Sequence, residues 1–195
     1  IDIGISLSKE KNIDILLEKI LKEARIISNS DGGTVYLISD DDTKLNFKII
    51  HNKTLNFNYG GSSEPVPESI YPVRLYNQDN TKNLNNVSAV SALEKRTINI
   101  ADAYKDKQFD FSGTKGFDKK HNYRSQSFLT VPLKNHKDKV IGVLQLLNAK
   151  KDNKIISFSN ELVELVQALS SQASVALTNQ LLIDEQKTLF RSFIK

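Results

Sequence analysis

The sequence of 195 residues contains no cysteine, no methionine and no tryptophan. Without cysteine the chain can form no disulfide, no thiolate metal site and no thioether link to a chromophore, and it has no thiol nucleophile. No apolar run approaches the roughly 20 residues of a membrane-spanning helix, and no signal peptide opens the chain. We therefore expect a cytoplasmic domain without membrane insertion, and the missing methionine at position 1 indicates a fragment of a longer protein.

The charge of the chain is only weakly biased, with 27 basic against 23 acidic residues. The basic residues are mostly lysines that are dispersed along the sequence, whereas nucleic-acid-binding proteins usually cluster arginine and interleave it with aromatics. We therefore expect no nucleic-acid partner. A hydrophobic fraction of 39% with 26% charged residues is ordinary for a folded domain with a sizeable core.

Apolar residues recur at three- and four-residue spacing over residues 12–29, which predicts an amphipathic helix with Asn12 as its N-cap. The glycines at 32 and 33 are expected to end this helix. A short helix is predicted over residues 87–95, and residues 104–125 are expected to form a loop. Alternating or β-branched segments predict antiparallel strands at 34–39, 45–49, 73–76, 97–101, 127–133 and 139–148.

The strongest helical signal covers residues 160–194, with Ser159 as the N-cap and Phe158 packing against Val163. Such a helix is about 50 Å long and outreaches a domain of this size. Its distal half therefore needs a partner, either a second copy or a following domain. The expected contact stripe comprises Leu162, Val166, Leu169, Ala173, Ala176, Ile183, Phe190 and Ile194, interrupted by Gln180 and Lys187.

This order of elements predicts an α+β fold in which helices from both chain ends cover one face of an antiparallel sheet. The opposite face carries the loops and is free to enclose a ligand.

Catalytic and metal-binding patterns are scarce in the sequence. His51, His121 and His136 lie in polar, turn-rich stretches without metal-ligand spacing, and neither Gly-x-Ser-x-Gly nor Gly-x-Gly-x-x-Gly occurs. We therefore expect no catalytic residues and no metal site within this chain.

The most informative region is the aromatic-rich stretch 99–133. Its rings can close as a lid over a concave sheet and stack on a planar ligand, while Asp118, Arg124 and Ser125 bind the edges of that ligand. Alternatively, the rings merely attach the loop to the sheet and Arg124 binds loop carbonyls. The residues leave both readings open. The rings are those of Tyr104, Phe109, Phe111, Phe117 and Tyr123.

Over residues 16–180 the chain resembles a GAF domain, the small-molecule sensor module of signalling proteins. The resemblance rests on residues 33–37 (GTVYL), 99–104 (NIADAY), 122–125 (NYRS), 131–133 (VPL) and 140–148 (VIGVLQLLN). It implies a six-stranded antiparallel sheet flanked by terminal helices, with a pocket roofed by the loops before a strand at Tyr123 and Arg124. It also implies a sensor domain at 1–180 and a helical connector at 181–195 to a C-terminal output domain.

Within the family, the sequence is most similar to the GAF domains of cyclic-nucleotide phosphodiesterases, adenylyl cyclases and bacterial HD-type phosphodiesterases. The resemblance implies a cyclic nucleotide or another small planar ligand. The family pattern pairs a lysine with an aspartate beside the pocket, but Ala149 replaces that lysine, Lys150 is its nearest substitute, and no aspartate replacement is evident. The resemblance implies that Thr34, Phe109, Asp118, His121 and Ser125 face the ligand. The aromatic-rich stretch adds Phe117, Tyr123 and Arg124 to the expected ligand-binding residues.

The resemblance therefore implies a non-catalytic regulatory domain of a bacterial signalling protein. The parent protein is expected to be a cyclic-nucleotide or cyclic di-GMP phosphodiesterase of HD type, because residues 189–195 resemble the connector that precedes an HD-GYP output domain. Ligand binding under the lid is expected to signal through a homodimer formed by the N- and C-terminal helices. The alternative is a ligand-free GAF domain that serves only dimerisation.

Overall fold

The computed structural model describes residues 3–194. Within this range the helices are α1 (Ile3–Lys9), α2 (Ile13–Ser28), α3 (Val87–Glu94), α4 (Ser112–His121) and α5 (Asn160–Phe193). The strands are β1 (Ser30–Ile38), β2 (Lys44–Asn52), β3 (Phe57–Tyr59), β4 (Val73–Arg74), β5 (Ile98–Ile100), β6 (Phe128–Lys134), β7 (Val140–Lys151) and β8 (Lys154–Ile156). No described helix is both long enough and apolar enough to span a membrane.

The strands form one sheet whose main path has the order β3-β2-β1-β7-β6-β5. Two short strands are added to it, β4 beside β2 and β8 beside β7. Every pair of these strands is antiparallel. The α+β fold with an antiparallel sheet and a long C-terminal helix is therefore confirmed.

Helices α1, α2 and α5 cover one face of the sheet and enclose the larger core. Strand residues that point to this face alternate with residues that point away from it, as the pleat requires. The space between these helices and the sheet is filled by fully buried aliphatic side chains, among them Leu16, Leu17, Ile20, Leu21, Leu129, Leu144 and Leu146. This arrangement leaves the other face to α3 and the long connections.

Helix α2 covers the predicted residues, but the residue that terminates it is not one of the expected glycines. The Asn12 side chain accepts a hydrogen bond from the Ile15 backbone N–H, at 3.1 Å. The helix ends at Asn29, whose φ of 50° is left-handed, and not at Gly32 or Gly33, which lie inside β1. A Cβ on Gly33 would lie 2.8 Å from a methyl group of Leu21, so this glycine permits close packing of α2 on the sheet.

The expected loop at residues 104–125 contains helix α4. The sequence gives no apolar periodicity there, because Asp118 is the one buried side chain of this helix. Its C-terminus is closed by Asn122, with a φ of 50°. A helix that packs through few buried side chains carries no amphipathic signal, which explains why the pattern missed it.

The expected contact stripe of α5 faces the domain itself along its first half. Val166, Leu169, Ala173 and Ala176 are buried in the core beneath α1 and α2. The expectation of a separate partner concerns the distal half of α5, beyond these buried residues, and stays a prediction. The start of the helix is as predicted, since Ser159 accepts a hydrogen bond from the Leu162 N–H, at 3.2 Å, and Phe158 is buried.

Replacing Val143 by aspartate should unfold the domain. Val143 lies on the central strand β7 and is fully buried, so the variant places an unpaired carboxylate in an apolar environment. We expect a loss of at least about 4 kcal/mol in the free energy of unfolding, measured by chemical denaturation. The control is Ile26→Asp on the exposed face of α2, which should unfold at nearly the wild-type midpoint. A folded Val143→Asp variant would contradict the assigned burial.

The stability of the domain should fall in acid because of His51. Burial lowers the pKa of His51 below its ordinary value, and nearby Arg25 lowers it further, while Nε2 has no partner among the described residues. Below a pH of about 6.5 the unfolded chain therefore binds a proton that the folded chain does not, so stability decreases as the pH falls toward the lowered pKa.

Denaturant midpoints measured between about pH 7.5 and pH 5.5 test this expectation. The variant His51→Gln should lose part of the pH dependence, whereas His136→Gln, at an exposed position, should keep it. An unchanged slope in His51→Gln would show that other groups cause the acid sensitivity.

Candidate functional site

The connection between β5 and β6, residues 101–127, is here named the lid segment. Near β5 its residues Phe109 and Phe111 join an apolar cluster with Val90 of α3 and Phe128 of β6. Its middle part is α4, where Phe117 contacts Phe57 of β3. Because β5 and β3 form opposite ends of the main strand path, the lid segment crosses the sheet from one edge to the other.

Beneath α3 the sheet carries a row of polar side chains, here named the floor row. Thr34 of β1 pairs with Gln145 of β7, and Gln145 pairs with Thr130 of β6. Directly paired residues point to the same face of a sheet. The Gln145 amide donates to Ser88 Oγ of α3, at 3.1 Å, and to Thr130 Oγ1, at 3.0 Å, which fixes this face as the one toward α3.

The floor row lies between two separate apolar clusters on this face. One contains Phe109, Phe111 and Phe128 near β5, and the other contains Tyr36 and Leu45 near the β1–β2 hairpin. A continuous apolar core would bury no such polar groups, because each costs free energy unless it is hydrogen-bonded. The row therefore marks a place where the core is interrupted.

Thr34 is the member of the floor row whose side chain makes no hydrogen bond to another described residue. Its side chain is 9% exposed, and its hydroxyl has no hydrogen-bond partner among the described residues. A hydroxyl can donate one hydrogen bond and accept two. Thr34 thus presents an unused polar group on the covered face of the sheet.

Asp118 of α4 fixes the lid segment internally. This buried carboxylate accepts hydrogen bonds from the Tyr104 hydroxyl at 2.6 Å, and from the Ser125 N–H and hydroxyl at 2.8 Å each. The hydrogen bond to Asp118 is the main cause that raises the pKa of Tyr104 above its ordinary value. Asp118 therefore joins the segments before and after α4.

Tyr123 attaches the lid segment to the sheet. Its hydroxyl donates to the Asp31 carboxylate at 2.5 Å and accepts from the Asn148 amide at 2.9 Å. Burial and the hydrogen bond to Asp31 raise the pKa of Tyr123 well above its usual range. Because Asp31 lies on β1 and Asn148 on β7, this one side chain connects the lid to the two central strands.

Asp31 also pairs with Lys150. The Lys150 ammonium lies 3.0 Å from the Asp31 carboxylate, whose side chain is 1% exposed, and the Thr54 hydroxyl donates to the same carboxylate at 2.8 Å. Burial acts to raise the pKa of Asp31, but the hydrogen bonds from Tyr123, Thr54 and Lys150 outweigh it and lower the pKa. Lys150 thus has an aspartate partner that the sequence pattern did not reveal.

The distal part of α4 rests on β3 through aromatic rings. The His121 ring lies 4.2 Å from the Phe117 ring and 5.2 Å from the Phe57 ring, centroid to centroid, in edge-to-face arrangements. Phe117 is partly exposed. These aromatic contacts attach α4 to β3, but they leave the rings partly exposed to solvent.

The structure brings only some of the predicted site residues together. Asp118 binds Ser125, and Phe117 contacts His121, but Phe109 packs into the apolar cluster under α3. Tyr123 lies in the hydrogen-bond network of Asp31, and Thr34 lies in the floor row.

Arg124 points to the outside of the lid. Its guanidinium lies 4.1 Å from the centre of the Tyr104 ring and 3.9 Å from the Asp102 carboxylate, and its side chain is 55% exposed. These contacts are with side chains of the lid segment, whereas the alternative interpretation expected bonds from Arg124 to loop carbonyls.

Sequence patterns do not reveal site residues that are far apart along the chain and become partners only in the folded structure. Asp31 lies 119 positions before Lys150 and 92 before Tyr123, so no local pattern links them. Gln145 could have been recognised from the sequence, since it is a polar residue that interrupts the apolar strand β7, and its side chain points to the α3 side of the sheet. Among the described residues, no group of three His, Cys, Asp or Glu is arranged to hold a metal ion.

Comparison with known proteins connects this geometry to a family. The family model described as GAF domain matches residues 12–177. The cGMP-specific 3',5'-cyclic phosphodiesterase of Drosophila sechellia is 26% identical over 183 residues, which cover 91% of this chain and 14% of that protein. The chain therefore corresponds to only a small part of this relative.

Solved structures share the fold at low sequence identity. The GAF domain of the phosphoenolpyruvate-protein phosphotransferase from Acinetobacter gives a TM-score of 0.64 at 16% identity, with 94% of this chain and 92% of that chain covered. The GAF domain/HD domain protein from Geobacter sulfurreducens gives 0.58 at 13%, with 90% and 98% covered. On these grounds the chain belongs to the GAF family, as a regulatory domain related to the GAF domains of phosphodiesterases.

Proposed function

We propose that this GAF domain is a non-catalytic sensor that binds a small planar molecule between the floor row and the lid segment. Occupancy is transmitted to α5, which acts in a helical homodimer and connects to an output domain. The observation that supports this function best is the unpartnered Thr34 hydroxyl on the covered face of the sheet.

The chemistry around Thr34 suits a planar molecule with polar edges. The hydroxyl of Thr34 and the amide oxygen of Gln145 offer hydrogen bonds from below, since both N–H groups of that amide already donate to Ser88 and Thr130. The rings of Phe57, Phe117 and His121 lie at the β3 side, where a ring system can stack against them. A cyclic nucleotide is one such molecule, and the relative from Drosophila sechellia is named for cGMP.

The last residue of the lid segment and strand β5, which precedes the lid segment, both bind the stretch that leads into α5. The Ser127 hydroxyl donates to the Ile156 carbonyl at 2.7 Å, and the Asn99 amide donates to the Phe158 carbonyl at 2.8 Å. Phe158 directly precedes the N-cap of α5. A ligand that binds better to one lid position than to another therefore shifts the position of this junction, which is the physical requirement for signalling.

A second candidate function is a ligand-free GAF domain that serves only dimerisation. It is favoured by Asp118, whose carboxylate already accepts hydrogen bonds from Tyr104 and Ser125. It is also favoured by Phe109, which is buried against α3 and does not face a ligand. A lid segment whose polar groups are hydrogen-bonded to one another, and whose rings are buried in the protein, needs no bound ligand.

For the parent protein we propose a cytoplasmic bacterial phosphodiesterase of HD type, with residues 1–180 as sensor and residues 181–195 as connector. Support comes from the phosphodiesterase relatives and from the fold shared with the GAF domain/HD domain protein of Geobacter sulfurreducens. The elongated α5 supports a helical connection to the output domain.

Replacing Thr34 by valine should weaken ligand binding without destabilising the domain. The substitution keeps the shape of the side chain and removes a hydroxyl that makes no internal hydrogen bond. With cGMP, cAMP and cyclic di-GMP as trial ligands, we expect at least one to raise the melting temperature. The affinity for it should fall roughly three- to tenfold in Thr34→Val.

The control is Thr178→Val on α5, which also removes a hydroxyl without a partner but lies on the other side of the sheet. This variant should bind the ligand like the wild type. Equal affinities of both variants and the wild type would place the site elsewhere, and no response to any of the three nucleotides would favour the dimerisation-only function.

Replacing Asp118 by asparagine should loosen the lid segment. An amide has one acceptor oxygen where the carboxylate has two, and it brings an additional donor among the donors of Tyr104 and Ser125. We expect faster hydrogen exchange over residues 104–125 and a loss of about 1–3 kcal/mol in stability. Asp110→Asn, at an exposed lid position, is the matched control. Unchanged exchange in Asp118→Asn would show that the aromatic contacts alone hold the lid.

A further inference from the structure

The face of α5 that points away from the domain has an unusual composition. From Leu165 to Phe193, nine positions follow one another at alternating spacings of three and four residues, and every one of them is exposed. None is charged, although 26% of the chain is. We name this set the outer seam. Six members are apolar, namely Leu165, Ala168, Val175, Leu182, Leu189 and Phe193, and three are amides, namely Gln172, Asn179 and Gln186.

The domain itself does not account for the outer seam. The core of the domain takes the opposite stripe of α5, which is buried from Val166 to Gln180. By contrast, Leu182 is 45% exposed, Val175 62% and Leu189 64%. The charged side chains of this stretch, such as Asp184, Lys187 and Arg191, lie off the seam. An uncharged apolar row on the solvent side of a helix is typical of an interface.

The spacing of the seam identifies the kind of partner. Alternating steps of three and four residues repeat every seven, which is the pattern of two helices that wind around each other. The seam is about 42 Å long at 1.5 Å per residue, which corresponds to four heptads. A second copy of α5 presents the same row at the same length, so the two surfaces are complementary along the whole seam.

The amides determine the relative direction of the two helices. They occupy one heptad position, seven residues apart, while Ala168, Val175, Leu182 and Leu189 occupy the other. In a parallel pair each position meets itself, so Asn179 meets Asn179 and the two amides exchange hydrogen bonds. In an antiparallel pair each amide meets an apolar side chain and is buried without a partner, which is costly.

We infer that two copies of this chain associate through the outer seam as a parallel, in-register helix pair. The inference deepens the proposed function, since it names the face and the direction of the proposed dimer. The two domains then lie on opposite sides of the helix pair, because the seam faces away from the domain core. Beyond Gln180 the exposed side chains of Ile183 and Phe190 flank the seam and widen the contact.

Single cysteines test both the face and the direction, because the chain contains no natural cysteine. The variants Ala168→Cys and Leu189→Cys lie near the two ends of the seam, about 32 Å apart along the helix. In a parallel pair each variant forms a disulfide with its own copy under mild oxidation. In an antiparallel pair neither does so alone, whereas Ala168→Cys then faces an amide position of the partner and forms a mixed disulfide with Gln186→Cys.

The control is Arg191→Cys, which is exposed on the same part of α5 but lies off the seam. We expect at least a tenfold higher dimer yield for Ala168→Cys and Leu189→Cys than for this control. Mixed disulfides without self-pairing would overturn the parallel direction, and equal yields of all three variants would overturn the seam.

Charge insertion provides a second measurement that needs no oxidation. Leu182→Glu places two carboxylates against each other in the helix pair, so light scattering should show a monomer where the wild-type chain is a dimer. Lys187→Glu, off the seam, should leave the dimer intact. A monomeric wild-type chain, or a dimer unaffected by Leu182→Glu, would overturn the inference.

These measurements use no ligand, so they separate the two proposals. If the cysteine variants self-pair but no nucleotide raises the melting temperature, the dimer through the outer seam is supported and the sensor function is contradicted. A nucleotide response from a monomeric wild-type chain would do the reverse.

Discussion

The hydrogen bond between the Tyr123 hydroxyl and the Asp31 carboxylate is the contact on which the covered face of the sheet depends. Asp31 can remain charged although it is almost fully buried, because Lys150 and Thr54 also bind it. The tyrosine therefore finds a strong acceptor in the middle of the sheet, and charge-assisted hydrogen bonds are about twice as strong as neutral ones. Asn148 of β7 also holds the end of the lid segment, because its amide oxygen accepts from the N–H groups of Gln126 and Ser127 and its amide N–H donates to the Arg124 carbonyl. The contact between Tyr123 and Asp31 adds the connection of the lid segment to the other central strand, β1.

The two faces of the sheet differ in how completely they are packed. Toward α2 and α5 a continuous aliphatic core fills the space, whereas toward the lid two apolar clusters are separated by the floor row. Such a division lowers the stability that this face contributes, since polar groups replace apolar contacts. The proposed binding function would account for the division, because Thr34 offers a hydrogen bond that the protein does not use. The lid segment would then cover a polar surface whose hydrogen bonds are completed only by a bound ligand.

The sequence predicted those features that depend on local patterns. The helix capped by Asn12, the β6–β7 hairpin and the long α5 follow from periodicity and capping, and the family followed from motifs in the correct order. Helix α4 was missed because only Asp118 of its side chains is buried. The partner of Lys150 was missed because Asp31 is distant in sequence. One apolar stripe on α5 was recognised, and the domain buries its first half. The second stripe, which includes Leu165 and Val175, was missed, because the sequence alone does not show that both sides of this helix carry apolar residues for different contacts.

The central claim is that the lid segment covers a ligand site and that the start of α5 responds to its occupancy. Hydrogen exchange of the wild-type chain, with and without the nucleotide that raises its melting temperature, tests this claim directly. Our account predicts slower exchange on binding both in the lid segment and across residues 156–162, where Ser127 and Asn99 bind the backbone before α5. Protection confined to another surface, with both of these regions unchanged, would contradict it.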